Sequence, residues 1–231
     1  MSNDLKFTYL GEGEEYFPPL PAKKVLPEWY KNLNEYIGGQ RGVQNGRPNT
    51  TGKKCMPMFD VMTSGYVLRL QADIWIDVSE DGSATYNWPS GDGAIHFHAI
   101  QQLETYPSKP TNTNIPKILN PYLIETPKGY STLFIPPANH DSSIQVFSGI
   151  VDTDSYIDAI NFPFVPKIGF KGLLKAGTPF VQIIPIKREK WTHSSNPKHL
   201  MDRRVRNQTK VISTSFFKAY RDNFWFKKDY S

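Results

Sequence analysis

The sequence predicts a mainly β protein: an antiparallel barrel or jelly-roll-like core, preceded by a short helix and followed by a helical arm. Three observations carry this. Tyr66, Leu68, Leu70, Ala72, Ile74, Ile76 and Val78 take every second position, alternating with Val67, Arg69, Gln71, Asp73, Trp75 and Asp77, which is the period of a half-buried strand. Downstream, short apolar runs recur between turn residues with no helical pattern among them, which favours a barrel, sandwich or jelly roll over a parallel sheet. Residues 191–231 then change to a basic, helical pattern.

The elements follow in order. Pro18, Pro19 and Pro21 keep the early chain extended, because each proline fixes its own φ and biases its predecessor away from the helix. Pro27 suits a first helical turn, and Trp29, Tyr30, Leu33 and Ile37 form an apolar stripe on a short helix reaching Ile37. Residues 38–54, with five glycines and two asparagines, read as a long loop. After the alternating strand, Ser79-Glu80-Asp81-Gly82 supplies a hairpin turn into a strand at 85–88. Further strands are expected at 94–103, 122–126, 130–135, 143–150, 157–162 and 180–186. Asn196 before Pro197 is an N-cap signal, and Leu200, Val205, Gln208, Ile212, Phe216 and Tyr220 outline a helix beyond it. The organisation expected is an arm, helix and loop over 1–54, a β core over 55–190 and a helical arm over 191–231.

At 231 residues, 39% hydrophobic and 13% aromatic, the chain can bury one sizeable core. The single cysteine, Cys55, excludes an internal disulfide framework and is expected to be a small buried residue in a reducing compartment. The first residues lack a signal-peptide pattern, and no apolar run approaches the ~20 residues that cross a bilayer, so no membrane partner is expected. From Lys187 onward, twelve Lys and Arg face four Asp and Glu, net +8, leaving −3 for the preceding residues of a chain of net +5. Such a tail can attract nucleic acid; the plainer reading is a solvated helix face. Phe216, Tyr220, Phe224, Trp225 and Phe226 crowd its end. Rings at that density need something to pack against, and an interface with a neighbouring subunit or another protein is expected there.

Chemistry-bearing residues are few. His96 and His98 share one face of an expected strand, with Glu104 and His140 downstream, which approximates a cupin-like Fe or Zn site. Neither spacing fits that pattern, and structural histidines are the expectation. Trp75 is the tryptophan placed on an outward strand face, where a ring can stack on a sugar or base. Gly149-Ile150-Val151-Asp152-Thr153-Asp154-Ser155-Tyr156 is the most informative string, followed by Ala159-Ile160-Asn161 and by Gly177 through Ile184 with Gln182.

Together these segments resemble the dUTPase and dCTP deaminase (β-clip) superfamily. The resemblance implies a dUTPase-like core, a homotrimer and, for an enzyme, Mg2+ with a deoxynucleotide, and it carries Asp152 as the water-activating base with Asp154, Tyr156 and Gln182 beside it. Much of the family pattern is replaced: Val67 stands where a metal-associated Asp belongs, the phosphate-holding Arg-Ser-Gly is missing near 134–139, Tyr156 comes one residue late, and the Gly-rich closing arm is absent. Removing one transition-state donor costs roughly 100- to 1000-fold, so a structural or binding role without catalysis and without a cofactor is expected. The plainer reading of Asp152 and Asp154 is a tight turn whose carboxylates cap local amides.

Leu26-Pro27-Glu28-Trp29-Tyr30, Lys54-Cys55-Met56-Pro57, Thr126-Pro127-Lys128-Gly129-Tyr130-Ser131, Asn161-Phe162-Pro163-Phe164 and Gly177-Thr178-Pro179 resemble an uncharacterised family encoded by tailed, T4-like phages, especially marine ones. That resemblance implies expression in the cytoplasm of an infected host, with the virion as a destination and other virion proteins as partners.

Overall fold

Short strands with a turn every few residues leave little length for any one sheet, and the chain builds several. The computed structural model describes residues 4–11, 17–89, 94–103, 105–106, 114–195, 197–213 and 218–230. It is mainly β, with 34% strand and 22% helix. In chain order the strands are β1 Lys6–Tyr9, β2 Leu20–Pro21, β3 Val43–Gln44, β4 Arg47–Pro48, β5 Tyr66–Arg69, β6 Ile74–Val78, β7 Ala84–Asn87 and β8 Ile95–His98. They continue as β9 Ile115–Ile118, β10 Tyr122–Glu125, β11 Tyr130–Ile135, β12 Ile144–Val146, β13 Gly149–Val151, β14 Phe162–Pro166, β15 Lys171–Leu174 and β16 Pro179–Lys187. The helices are α1 Glu28–Asn32, α2 Met56–Thr63, α3 Pro197–Ser213 and α4 Ala219–Asn223.

Among the described residues every strand pairing is antiparallel. The sheets run β13-β11-β16-β5-β2, β12-β14-β9-β8, β15-β6-β7, β1-β10 and β3-β4. None closes on itself, so the expected barrel is not formed; each sheet ends in edge strands. One reason lies in the alternating segment. Residues 66–78 are two strands in two sheets rather than one, broken where Leu70 N donates to Thr178 O at 2.9 Å and Gly177 N donates to Leu70 O at 2.7 Å. The inward face survives the switch, with Leu68, Leu70, Ile74, Ile76 and Val78 all buried, because a strand that changes sheets at a bend keeps its core side.

The chain divides into two compact units that are not consecutive in sequence: Met1–Val25 with Gly65–Arg188, and Leu26–Ser64 with Glu189–Ser231. The core belongs to the first. Leu68, Ile76, Ile124, Phe134, Phe164 and Ile183, from six different strands, meet in one buried cluster, with Phe134, Phe162 and Phe180 packed ring to ring at 5.3 and 5.7 Å between centroids. Each such side chain contributes roughly 1.5–3 kcal/mol of burial. β16 runs between β11 and β5, and its residues 180–183 are buried without alternation, so both faces of the strand are covered there.

Three other expectations change. Residues 157–162 are not a strand; β14 starts at Phe162, and Asn161 instead accepts a hydrogen bond from Asn120 N on its Oδ1 (3.1 Å). Cys55 is exposed rather than buried, because it caps α2, whose first turn holds Pro57; the chain opens this stretch as a helix, not a strand. The first helix ends at Asn32, and Ile37 begins a separate 3-10 turn. The N-cap residue Asn196 and the ring of Phe216 lie outside the described residues. Among those residues no helix is long and apolar enough to cross a membrane.

Candidate functional site

Three strands of the first unit bring the Asp152 loop to its neighbours. β11 pairs with β13 on one side and β16 on the other, with Thr132 opposite Val151 and Tyr130 opposite Lys187. The loop after β13 and the residue after β16 are therefore delivered to the same end of β11. Arg188 N donates to Gly129 O at 2.8 Å, which fixes the start of the arginine side chain.

The loop is pinned from beneath. Thr153 is fully buried, and its Oγ1 lies 2.8 Å from Thr126 Oγ1 and 2.7 Å from Thr132 Oγ1, with Thr126 Oγ1 also donating to Tyr130 O at 3.2 Å. Three buried hydroxyls satisfy one another where unpaired ones would each cost about 1–3 kcal/mol. Above them the turn closes on Asp152 O, which accepts from Tyr156 N at 2.8 Å and Ser155 N at 3.0 Å.

On the loop's surface one guanidinium serves two carboxylates. Arg188 Nη1 donates to Asp154 Oδ1 (2.9 Å), Asp152 Oδ1 (3.2 Å), Ser131 Oγ (3.1 Å) and Tyr130 O (2.8 Å), while Nη2 donates to Asp154 Oδ2. Gly129 N also donates to Asp154 Oδ2 at 2.8 Å. The Arg188 bonds, with this amide, hold the Asp154 carboxyl down to about 2, and Asp154 holds the guanidinium up. Asp154 has only 5% of its side chain exposed. Asp152 differs: its side chain is 62% exposed, and its Oδ1 accepts from Ser131 Oγ at 2.6 Å as well as from Arg188.

The structure thus brings Asp152 and Asp154 together and adds Arg188 and Ser131, which sequence reasoning missed. Arg188 was legible only through register, as the residue after the partner of Tyr130. Gln182 serves elsewhere. It is buried, and its Oε1 accepts from Ala138 N at 2.9 Å, securing the turn in which Asn139 takes a left-handed φ of 60°. Tyr156 has a half-exposed ring (48%), with Ile150 and Ile157 exposed nearby in the chain.

The histidines do not assemble. His96 on β8 is exposed and opposite Lys117, His98 is opposite Ile115, and His140 follows the turn where its N donates to Pro137 O at 3.1 Å. Among the described residues no three His, Cys, Asp or Glu are grouped to hold a metal ion; Glu104 lies outside them. Trp75 is exposed on the face of β6 as expected, opposite Leu173 of β15.

In the second unit Trp225 is tied down. Its Nε1 donates to both oxygens of Asp60 on α2, at 2.9 and 3.0 Å, and Lys228 Nζ donates to Asp60 Oδ2 at 2.6 Å. Of the other tail rings, Phe224 is half-buried, whereas Tyr220 and Phe226 are exposed. A hollow of about 760 Å3 along α3 is lined by Leu200, Arg203, Arg204, Asn207, Gln208 and Val211; one helix alone supplies these residues, and they converge on no reacting centre. Comparison with known protein families and with curated proteins finds no match to this chain.

Proposed function

We propose that this chain is a phage-encoded structural or binding protein with a catalytically degenerate dUTPase-like core, acting as a homotrimer in the infected host's cytoplasm and in the virion. The observation that carries the reading is Arg188 laid across Asp152 and Asp154. Hydrolysis at a nucleotide α-phosphate needs a base free to take a proton from water and carboxylates free to hold a metal. Here one carboxylate is closed off by an arginine and an amide, the other already accepts a hydroxyl and the same arginine, and Gln182 is occupied by a backbone amide. The arrangement stabilises a loop.

One observation favours a second reading, a nucleotide-handling protein: Asp152 remains largely exposed beside the half-exposed ring of Tyr156. The two readings separate in one experiment. The purified chain incubated with dUTP or dCTP and magnesium is expected to release no pyrophosphate above background, and Asp152→Asn is expected to change nothing. Release that disappears in Asp152→Asn would overturn the structural reading in favour of the nucleotide-handling one. Mass spectrometry of purified virions checks the destination.

A further inference from the structure

The charge contrast between the two ends of the sequence persists between the two compact units. Leu26–Ser64 with Glu189–Ser231 holds fifteen Lys and Arg against seven Asp and Glu, net +8, which leaves net −3 for the first unit. Within the second unit, α3 places cationic side chains on one side: Arg203, Arg206 and Lys210, at i, i+3 and i+7. At 100° per residue these three fall in a strip about 60° wide and about 10 Å long. All three are exposed. Asp202 is the one acidic residue of α3 and lies outside the strip.

The same unit exposes two rings to an unusual degree, Trp191 at 83% and Phe226 at 81%. Each stands next to lysine in the chain, Lys190 before Trp191 and Lys227 after Phe226. A cationic ridge that follows a phosphate backbone, with aromatic faces on which bases stack, is the chemistry that holds single-stranded nucleic acid without reading its sequence.

We propose that the second unit binds single-stranded nucleic acid, with phosphates along the α3 ridge and bases on Trp191 and Phe226. A membrane fits less well. Leu200, Met201 and Val205, the exposed apolar residues of α3 among those described, fall about 90°, 170° and 130° around the helix from the middle of the ridge, so a bilayer that took up this broad flank would leave most of the cations turned to water. Duplex DNA fits less well too, since its paired bases offer no faces to the rings. The proposal concerns a different unit from the Asp152 loop and stands or falls independently of it.

Fluorescence anisotropy of a labelled oligothymidylate 20-mer with the full chain, over a salt series from 50 to 300 mM, tests it. Three phosphate contacts predict a log–log salt slope near −2 for a single strand. Arg203→Ala/Arg206→Ala/Lys210→Ala is expected to flatten that slope by about 2, and Arg203→Lys/Arg206→Lys, with Lys210 retained, is expected to preserve it. Trp191→Ala is expected to weaken binding roughly 5- to 100-fold with the slope unchanged. All these side chains are exposed, so circular dichroism should match the parent. No binding at 50 mM salt, binding indifferent to the triple alanine variant, equal affinity for a duplex of the same length, or preference for phosphatidylserine vesicles would overturn the proposal.

Discussion

Arg188 shows how much one residue decides at this site. A carboxylate pair on a loop invites a catalytic reading; here a guanidinium is bonded to both members of the pair. The consequence for pH follows from Asp154. Its carboxyl sits near 2 in the folded chain against 3.8 for an ordinary aspartate, so the folded state binds fewer protons than the unfolded state between those values. Its contribution to stability is therefore fully present above about pH 4 and is lost as pH falls through about 2. Thermal melts in a pH series are expected to show the parent losing stability over that window, and Asp154→Asn to be less stable at neutral pH with a flatter acid limb. Thr153 lies buried beneath with Thr126 and Thr132, in hydroxyl contacts that involve no titrating group.

Among the elements, the entry into β5 leaves no room for a side chain. Gly65 precedes β5, its φ is +69°, and a Cβ there would lie 1.9 Å from Ile183 O of β16. A side chain at this position meets both a left-handed backbone and a neighbouring main-chain oxygen, and the backbone penalty alone is roughly 1–2 kcal/mol. Gly65→Ala is expected to destabilise the chain by more than about 2 kcal/mol in urea unfolding, whereas Gly129→Ala, at φ +90° with nothing within 4 Å of the added carbon, should cost less. α2 itself was readable in advance from Pro57 in a first turn, a start signal outweighed by the β character of the residues that follow. The long strand expected over 66–78 failed for a different reason: alternation reports which side faces the core, and both halves keep the same side in, so periodicity carries no mark of the point where the chain changes sheets.

At the scale of the whole molecule, core and charge are divided between the two units. The first holds the clustered apolar side chains; in the second, Pro27, Tyr30, Met62 and Ala219 are the apolar residues buried among those described. In the proposed trimer, a neighbouring subunit would add apolar contacts to so thin an interior. Light scattering of the purified chain is expected to give a mass near three times 26.4 kDa; a monomer mass at all concentrations would remove the trimer from the proposed function.

By itself the sequence determined the mainly β class, the strand at 130–135 to the residue, the outward placement of Trp75, the basic helical tail and the pairing of Asp152 with Asp154 on one turn. These are local properties, set by side-chain period, turn chemistry and spacing within a few residues. Only the tertiary structure decided that the sheets stay open, that Gln182 holds Ala138 N, that Trp225 is tied to Asp60 and that Arg188 closes over the acidic loop. Each of those joins residues from 34 to 165 positions apart in the chain. Such contacts depend on strand register and on which elements become neighbours, and no local pattern in a single chain encodes them.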